Sequence, residues 1–114
     1  MSIVLKKIKK EYSNTEDKIV VLNNVSLSVE SGDVISILGH SGVGKSTLLG
    51  IFSGVLYPDE GEVFIDNELL GPSNASSIRK RKIGVLFQDN NLLPEFNVMD
   101  NVLLPLIIND IDYN

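Results

Sequence analysis

Gly39-His40-Ser41-Gly42-Val43-Gly44-Lys45-Ser46-Thr47 is the stretch of this chain best equipped for chemistry. It fits G-x-x-x-x-G-K-[ST], the Walker A pattern of phosphate-binding loops. Glycines at 39, 42 and 44 let the backbone curl tightly without Cβ clashes. Its amides can then converge on an anion, and the N-terminus of a following helix adds partial positive charge. Lys45 supplies a point charge for the β- and γ-phosphates, and the Ser46 hydroxyl is an oxygen donor of the kind Mg²⁺ accepts. His40, Ser41 and Val43 contribute their backbone to the loop, and Thr47 a hydroxyl towards the α-phosphate region. A Gly/Ser-rich turn that binds nothing is the bland alternative, and the flanking sequence argues against it. Asp33-Val34-Ile35-Ser36-Ile37-Leu38 reads as a buried strand, and Leu48, Leu49, Ile51, Phe52, Val55 and Leu56 fall on one face of a helix. Strand, loop and helix is the context the motif requires.

The rest of the chain must hold that loop. At 114 residues and 43% hydrophobic composition, it has the size of one domain or part of one. A net charge of −5 leaves no basic footprint for nucleic acid. The lysines at 6, 7, 9 and 10 and the Arg79-Lys80-Arg81-Lys82 run read as solvated faces. With no cysteine, disulfides and thiolate metal sites are excluded, and a single histidine, His40, makes a poor transition-metal site. No stretch has the ~20 apolar residues of a membrane span, and the start does not read as a secretory signal. Any work at a membrane would therefore be done by docking onto another chain.

Along the chain, residues 3–8 and 18–22 read as strands, with Asn23-Asn24 as an interruption. Val25, Leu27 and Val29 alternate with Ser26, Ser28 and Glu30 as in a half-buried strand. Short links make these early strands antiparallel. Tyr57-Pro58-Asp59-Glu60-Gly61 is a turn, residues 62–66 a short strand, and residues 75–82 a short basic helix. Ile83-Gly84-Val85-Leu86-Phe87 reads as a second buried strand. Asn97 is a good N-cap for a helix over 98–108, bent at Pro105. Val63-Phe64-Ile65-Asp66 and Leu106-Ile107-Ile108-Asn109-Asp110 both imitate the apolar run ending in Asp that holds Mg²⁺. The first reads as a peripheral hairpin and the second as helix, so neither is taken as that site.

Several features in order resemble the ATP-binding domain of ABC transporters. Tyr12 lies 33 residues before Lys45, where that family places an aromatic that stacks on adenine. Residues 25–33 resemble its strand and turn before Walker A, and Tyr57-Pro58-Asp59-Glu60-Gly61-Glu62-Val63 its P-x-x-G-x-V turn. Gln88, 43 residues after Lys45, matches its Q-loop glutamine. Residues 83–88, Asn91-Leu92-Leu93-Pro94 and residues 100–106 resemble the lipoprotein-release and macrolide-export subgroup. Asp100 and Asn97 stand where that subgroup usually has Glu and often Thr.

The resemblance implies an α/β P-loop NTPase of ABC type, with an N-terminal antiparallel β subdomain and part of a RecA-like core sheet. It divides the chain into an antiparallel region (about 1–32), the Walker A strand, loop and helix (about 33–56), a hairpin and short helix (about 57–82), a core strand and Q-loop (about 83–96) and the start of a helical region (about 97–114). It implies ATP and Mg²⁺ as ligands, with Ser46 and Gln88 at the metal. It also implies a transmembrane permease and a second nucleotide-binding domain as partners, and a place on the cytoplasmic face of the membrane.

The family's signature motif, its Walker B Asp with the catalytic Glu, and its switch His have no counterpart in these 114 residues. No catalytic residue is therefore assigned. The chain reads as the first half of such a domain, expected to bind ATP weakly, not to turn it over, and to fold poorly by itself. A non-catalytic remnant that pairs with an intact subunit is the alternative. A GTPase would show Asn-Lys-x-Asp, and no such string occurs.

Overall fold

A computed structural model of the chain describes residues 1–14, 17–89 and 91–109. Strands β1 (Ile3–Ser13) and β2 (Lys18–Val29) form a long antiparallel pair, from Ile3 opposite Val29 to Ser13 opposite Lys18. The expected alternation holds: Val25, Leu27 and Val29 are half-buried, while Ser26, Ser28 and Glu30 face solvent. Asn23-Asn24 does not end the strand. Asn24 takes a left-handed φ of 54° that an asparagine tolerates, and β2 continues through it.

β1 also runs well past Ile8, held there by β2 from Lys10 opposite Leu22 to Ser13 opposite Lys18, and its other edge is occupied as far as Lys9. β3 (Glu60–Ile65) pairs with it antiparallel, and β4 (Glu68–Leu69) follows through a tight turn at Asp66-Asn67, where both φ angles are positive. The sheet order is β2-β1-β3-β4. The expected hairpin is thus β3–β4, with β3 an inner strand of the sheet and its Val63 and Ile65 fully buried.

One irregularity organises the sheet. Between Leu5 and Ile8 the β1–β2 register shifts, Lys7 adopts φ 51°, and its N–H donates to Ser26 Oγ at 2.9 Å. This has the character of a β-bulge. Gly61 crosses it at φ 94°, so close that a Cβ there would lie 2.5 Å from the carbonyl oxygens of both Lys6 and Lys7.

Helices α1 (Lys45–Phe52) and α2 (Ala75–Lys82) contribute Ile51, Ala75 and Ile78 to a core completed by Leu5, Ile8, Leu22, Val63, Ile65 and Leu70. α1 stops earlier than the apolar spacing suggests. Gly54 turns at φ 67°, the amides of Val55 and Leu56 both return to the Gly50 carbonyl, and Leu56 folds over Gly50. Helix α3 (Val98–Ile108) starts as expected, with Asn97 Oδ1 accepting the Asp100 amide at 2.9 Å, and carries Pro105 inside it. Ile78 has no exposed surface, so Ile78→Ala should lower unfolding free energy by about 3 kcal/mol in urea titrations.

Both expected core strands differ from their reading. Residues 33–38 and 83–87 carry no sheet pairing, with Val34 95%, Leu38 89% and Leu86 99% exposed. An apolar run becomes a strand only when a neighbour takes its N–H and C=O groups, and no described residue offers one here.

Ion pairs staple the sheet from outside. Lys9 bridges Glu11 at 2.9 Å and Glu60 at 3.0 Å, Lys10 meets Asp59 at 2.8 Å, and Lys82 meets Asp66 at 2.7 Å. The Lys9 ammonium holds Glu11 below the usual carboxylate range. The Glu11 amide and Lys10 do so for Asp59, and Lys82 and the Ser2 amide for Asp66. Glu11 and Glu60 in turn raise Lys9. The carboxylates' contribution is complete above their unfolded value of ~4 and is lost as pH falls through the depressed folded values. The Lys9 contribution is complete below its unfolded value of ~10.4 and is lost above it. Urea midpoints should therefore fall on the acid side of about pH 4, by a modest amount that 1 M salt reduces. The acid-side slope should shrink in Lys82→Met.

Candidate functional site

The loop at 39–44 leaves an exposed extended segment and enters α1 through Gly44. Gly42 and Gly44 sit at φ 80° and 105°, which side-chain-bearing residues rarely adopt. Gly44 is also fixed by contact: a Cβ there would lie 2.7 Å from Val21 Cγ1 and 3.0 Å from the Val21 carbonyl oxygen. β2 is thus the wall against which the loop turns. No side chain caps α1, and its first turn has no acidic residue. The first amides of a helix have no intrahelical acceptor, so they remain available for an anion.

Lys45 Nζ donates to the carbonyls of Gly39 at 2.8 Å and His40 at 2.6 Å. The loop is wrapped around its own ammonium, which lies inside the curl. His40 is exposed and takes part through its backbone, and Ser41 and Val43 are exposed too. Among the described residues, no group of three or more His, Asp or Glu could hold a metal ion.

Ser46 and Gln88 line one cavity of about 710 Å³ between α1 and residues 85–89, together with Leu49, Leu56, Val85 and Phe87. The sequence separates Ser46 and Gln88 by 42 residues, and the fold brings them to the same opening. An exposed hydroxyl and an amide oxygen suit a hard cation that keeps most of its water. Thr47 is half-buried one residue further into the helix.

Tyr12 pairs with Ile19 near the end of the β1–β2 ladder, and the residue is 44% exposed. Ile19 is two residues from Val21, so Tyr12 stands ~7 Å along the strand direction from the residue touching Gly44. Lys10 Nζ lies 5.7 Å from the Tyr12 ring centroid. Sequence reasoning read Lys10 as part of a solvated face and passed over Val21. The i, i+2 spacing of Lys10 and Tyr12 on one strand face was a usable signal, but nothing in the pattern marks Val21 as the loop's support. Asp66 is engaged by Lys82 and by the Ser2 amide, which suits a structural role. Asp110 falls outside the described residues.

The family model for ABC transporters matches residues 22–113. The chain belongs to the ABC transporter family. It is 44% identical over 108 residues to the uncharacterized ABC transporter ATP-binding protein MJ0796 of Methanocaldococcus jannaschii, covering 92% of this chain and 46% of that protein. It is 43% identical over 108 residues to the methionine import ATP-binding protein MetN 2 of Enterococcus faecalis, covering 93% of this chain and 31% of that protein.

Among solved structures, the dimeric post-hydrolysis state of the ATP-binding cassette MJ0796, bound to ADP and Pi, superposes with a TM-score of 0.87 at 42% identity. That match covers 92% of this chain and 47% of the cassette. The chain therefore has the fold of one part of an ABC cassette and spans about a third to a half of the length of these relatives. Among the described residues, no helix of this ABC family member is long and apolar enough to cross a membrane.

Proposed function

We propose that this chain is the nucleotide-binding portion of an ABC transporter ATP-binding subunit, taking ATP with Mg²⁺. The observation that carries the reading is the convergence of three features: a curled Gly loop enclosing Lys45, an uncapped helix start, and Ser46 and Gln88 on one cavity. In this reading Tyr12 stacks on adenine, the backbone of residues 39–47 with Lys45 grips the phosphates, Thr47 lies towards the α-phosphate, and Ser46 and Gln88 hold the cation. Mg²⁺ would offset phosphate charge, and the protein's part is to place oxygen donors around it.

The five stretches drawn from the sequence serve as the working division of the chain. The whole subunit would couple ATP binding and hydrolysis to transport on the cytoplasmic face of a membrane, with a transmembrane permease and a second nucleotide-binding domain. Export is the preferred direction, on residues 91–94 and 100–106, and the methionine-import relatives carry the opposite one. The alternative is a non-hydrolytic remnant that pairs with an intact subunit.

Equilibrium titration of the chain with a fluorescent ATP analogue, with and without Mg²⁺, tests the reading. Micromolar to millimolar binding that Mg²⁺ strengthens is expected, and Ser46→Ala should lose the Mg²⁺ dependence while keeping metal-free binding. No binding would overturn it, and steady ATP turnover by this chain alone would overturn only the expectation that these residues do not hydrolyse ATP.

A further inference from the structure

Tyr12 lies where β1 has lost its second neighbour. β3 pairs with β1 only as far as Lys9 opposite Glu60, so beyond Lys9 the outer edge of β1 has no strand beside it among the described residues. Asp59 takes that place. Its amide donates to the Lys9 carbonyl at 2.9 Å, its Oδ2 accepts the Glu11 amide at 2.7 Å, and its Oδ1 accepts from Lys10 Nζ at 2.8 Å. The same Lys10 ammonium lies over the Tyr12 ring, 5.7 Å from its centroid, within the range of a cation–π contact. The Lys10 side chain is only 17% exposed, so water screens that contact less than it would a free surface lysine.

Lys10 also borders the phosphate loop. It pairs with Leu22, whose Cδ2 lies 3.4 Å from where a Cβ on Gly44 would be. Opposed residues share a face of a sheet, and so do residues two apart on one strand. Lys10, Tyr12 and the Gly44 contact therefore occupy one face. The next pair is Glu11 with Val20, which leaves Val21 as the extra residue of β2 at a register shift, and Val21 meets Gly44 as well.

We propose that Lys10, anchored by Asp59, is a positioning residue for the base: it backs one face of the Tyr12 ring and leaves the other to adenine. A ring already fixed before binding leaves less ordering for the ligand to impose. The inference rests on the reading of Tyr12 as the adenine platform and adds the residue that sets its ring.

The test titrates the chain calorimetrically with ATP and, separately, with inorganic tripolyphosphate, which has no base. Lys10→Met keeps the apolar stem and removes the charge. It should weaken ATP by about three- to tenfold and leave tripolyphosphate unchanged, which also shows that the loop is intact. Lys10→Arg should restore ATP affinity, because a guanidinium stacks on aromatic rings and pairs with a carboxylate. In a Tyr12→Ala background, Lys10→Met should cause no further loss. The chain has no tryptophan of its own, so Tyr12→Trp reports on this ring alone, and its quenching by acrylamide without nucleotide should rise when Asp59→Asn is added. Equal losses for ATP and tripolyphosphate would make Lys10 a phosphate contact and overturn the proposal, as would quenching indifferent to Asp59→Asn. ATP binding indifferent to Lys10→Met overturns this inference alone, and binding of neither ligand overturns the nucleotide reading with it.

Discussion

Lys45→Ala should weaken binding of an ATP analogue by about 100-fold. Hydrogen bonds to charged groups contribute about 1.5–3 kcal/mol each, and 2.7 kcal/mol corresponds to two decades of affinity. The loss will be smaller than the sum of the phosphate contacts suggests. The ammonium bonds the Gly39 and His40 carbonyls, and these acceptors compete with a phosphate for its three protons. Lys45→Arg should rescue little, because the curl closes on a compact ammonium and the guanidinium fork is wider and planar. Isothermal titration measures the affinities. A melting temperature within a few degrees of the parent separates a lost phosphate contact from a collapsed loop, and unchanged affinity in Lys45→Ala would reject Lys45 as the phosphate ligand.

Gly61→Ala should cause the largest loss of stability from a single methyl group. Gly61 lies at φ 94°, and the new Cβ would press on two backbone oxygens at 2.5 Å. Neither is the tip of a flexible side chain, so β3 must separate from the bulge of β1 at Lys6-Lys7. Positive φ costs of order 1–3 kcal/mol for a residue with a side chain, and the clash adds to it. Against a typical total of ~5–15 kcal/mol, the variant should be partly unfolded at 25 °C. Gly71→Ala is the control, since a Cβ there meets nothing within 4 Å. Similar urea midpoints for the two variants would refute the argument. The same comparison bears on function only indirectly, because Gly61 is in the sheet and not in the loop.

The contrast between these glycines shows what can be read from sequence. Gly42 and Gly44 stand in a motif whose spacing announces a turn around an anion, and the structure gives them the positive φ that such a turn needs. The alternation of Val25, Leu27 and Val29 placed β2 correctly, and Asn97 placed the start of α3. Gly61 was read as the glycine of a turn, and the structure puts it inside β3. Its necessity comes from a register shift in β1, a pairing fact that no local pattern encodes.

The apolar runs at 33–38 and 83–87 were read as buried strands, and in the structure both are unpaired and largely exposed, because strand formation depends on a neighbour as much as on composition. Within the site, Lys45, Ser46 and Gln88 were legible from type and order. The wall provided by Val21 was not, because an ordinary valine acquires that role only by lying under Gly44.

Among the described residues, the whole buried core lies from Leu5 to Ile78. During synthesis that places the support of the phosphate loop ahead of Gln88, which emerges ten residues after Ile78. At ~5–20 residues per second, those ten residues take about 0.5–2 s. Hairpins form in ~1–10 μs, so the β1–β2 pair, with its short link, has ample time to close while the nascent chain lengthens. Val21 and Gly44 can meet before the second side of the cavity has been made. The site would then mature in a fixed order, phosphate end first, with the ribosome's pace setting the interval.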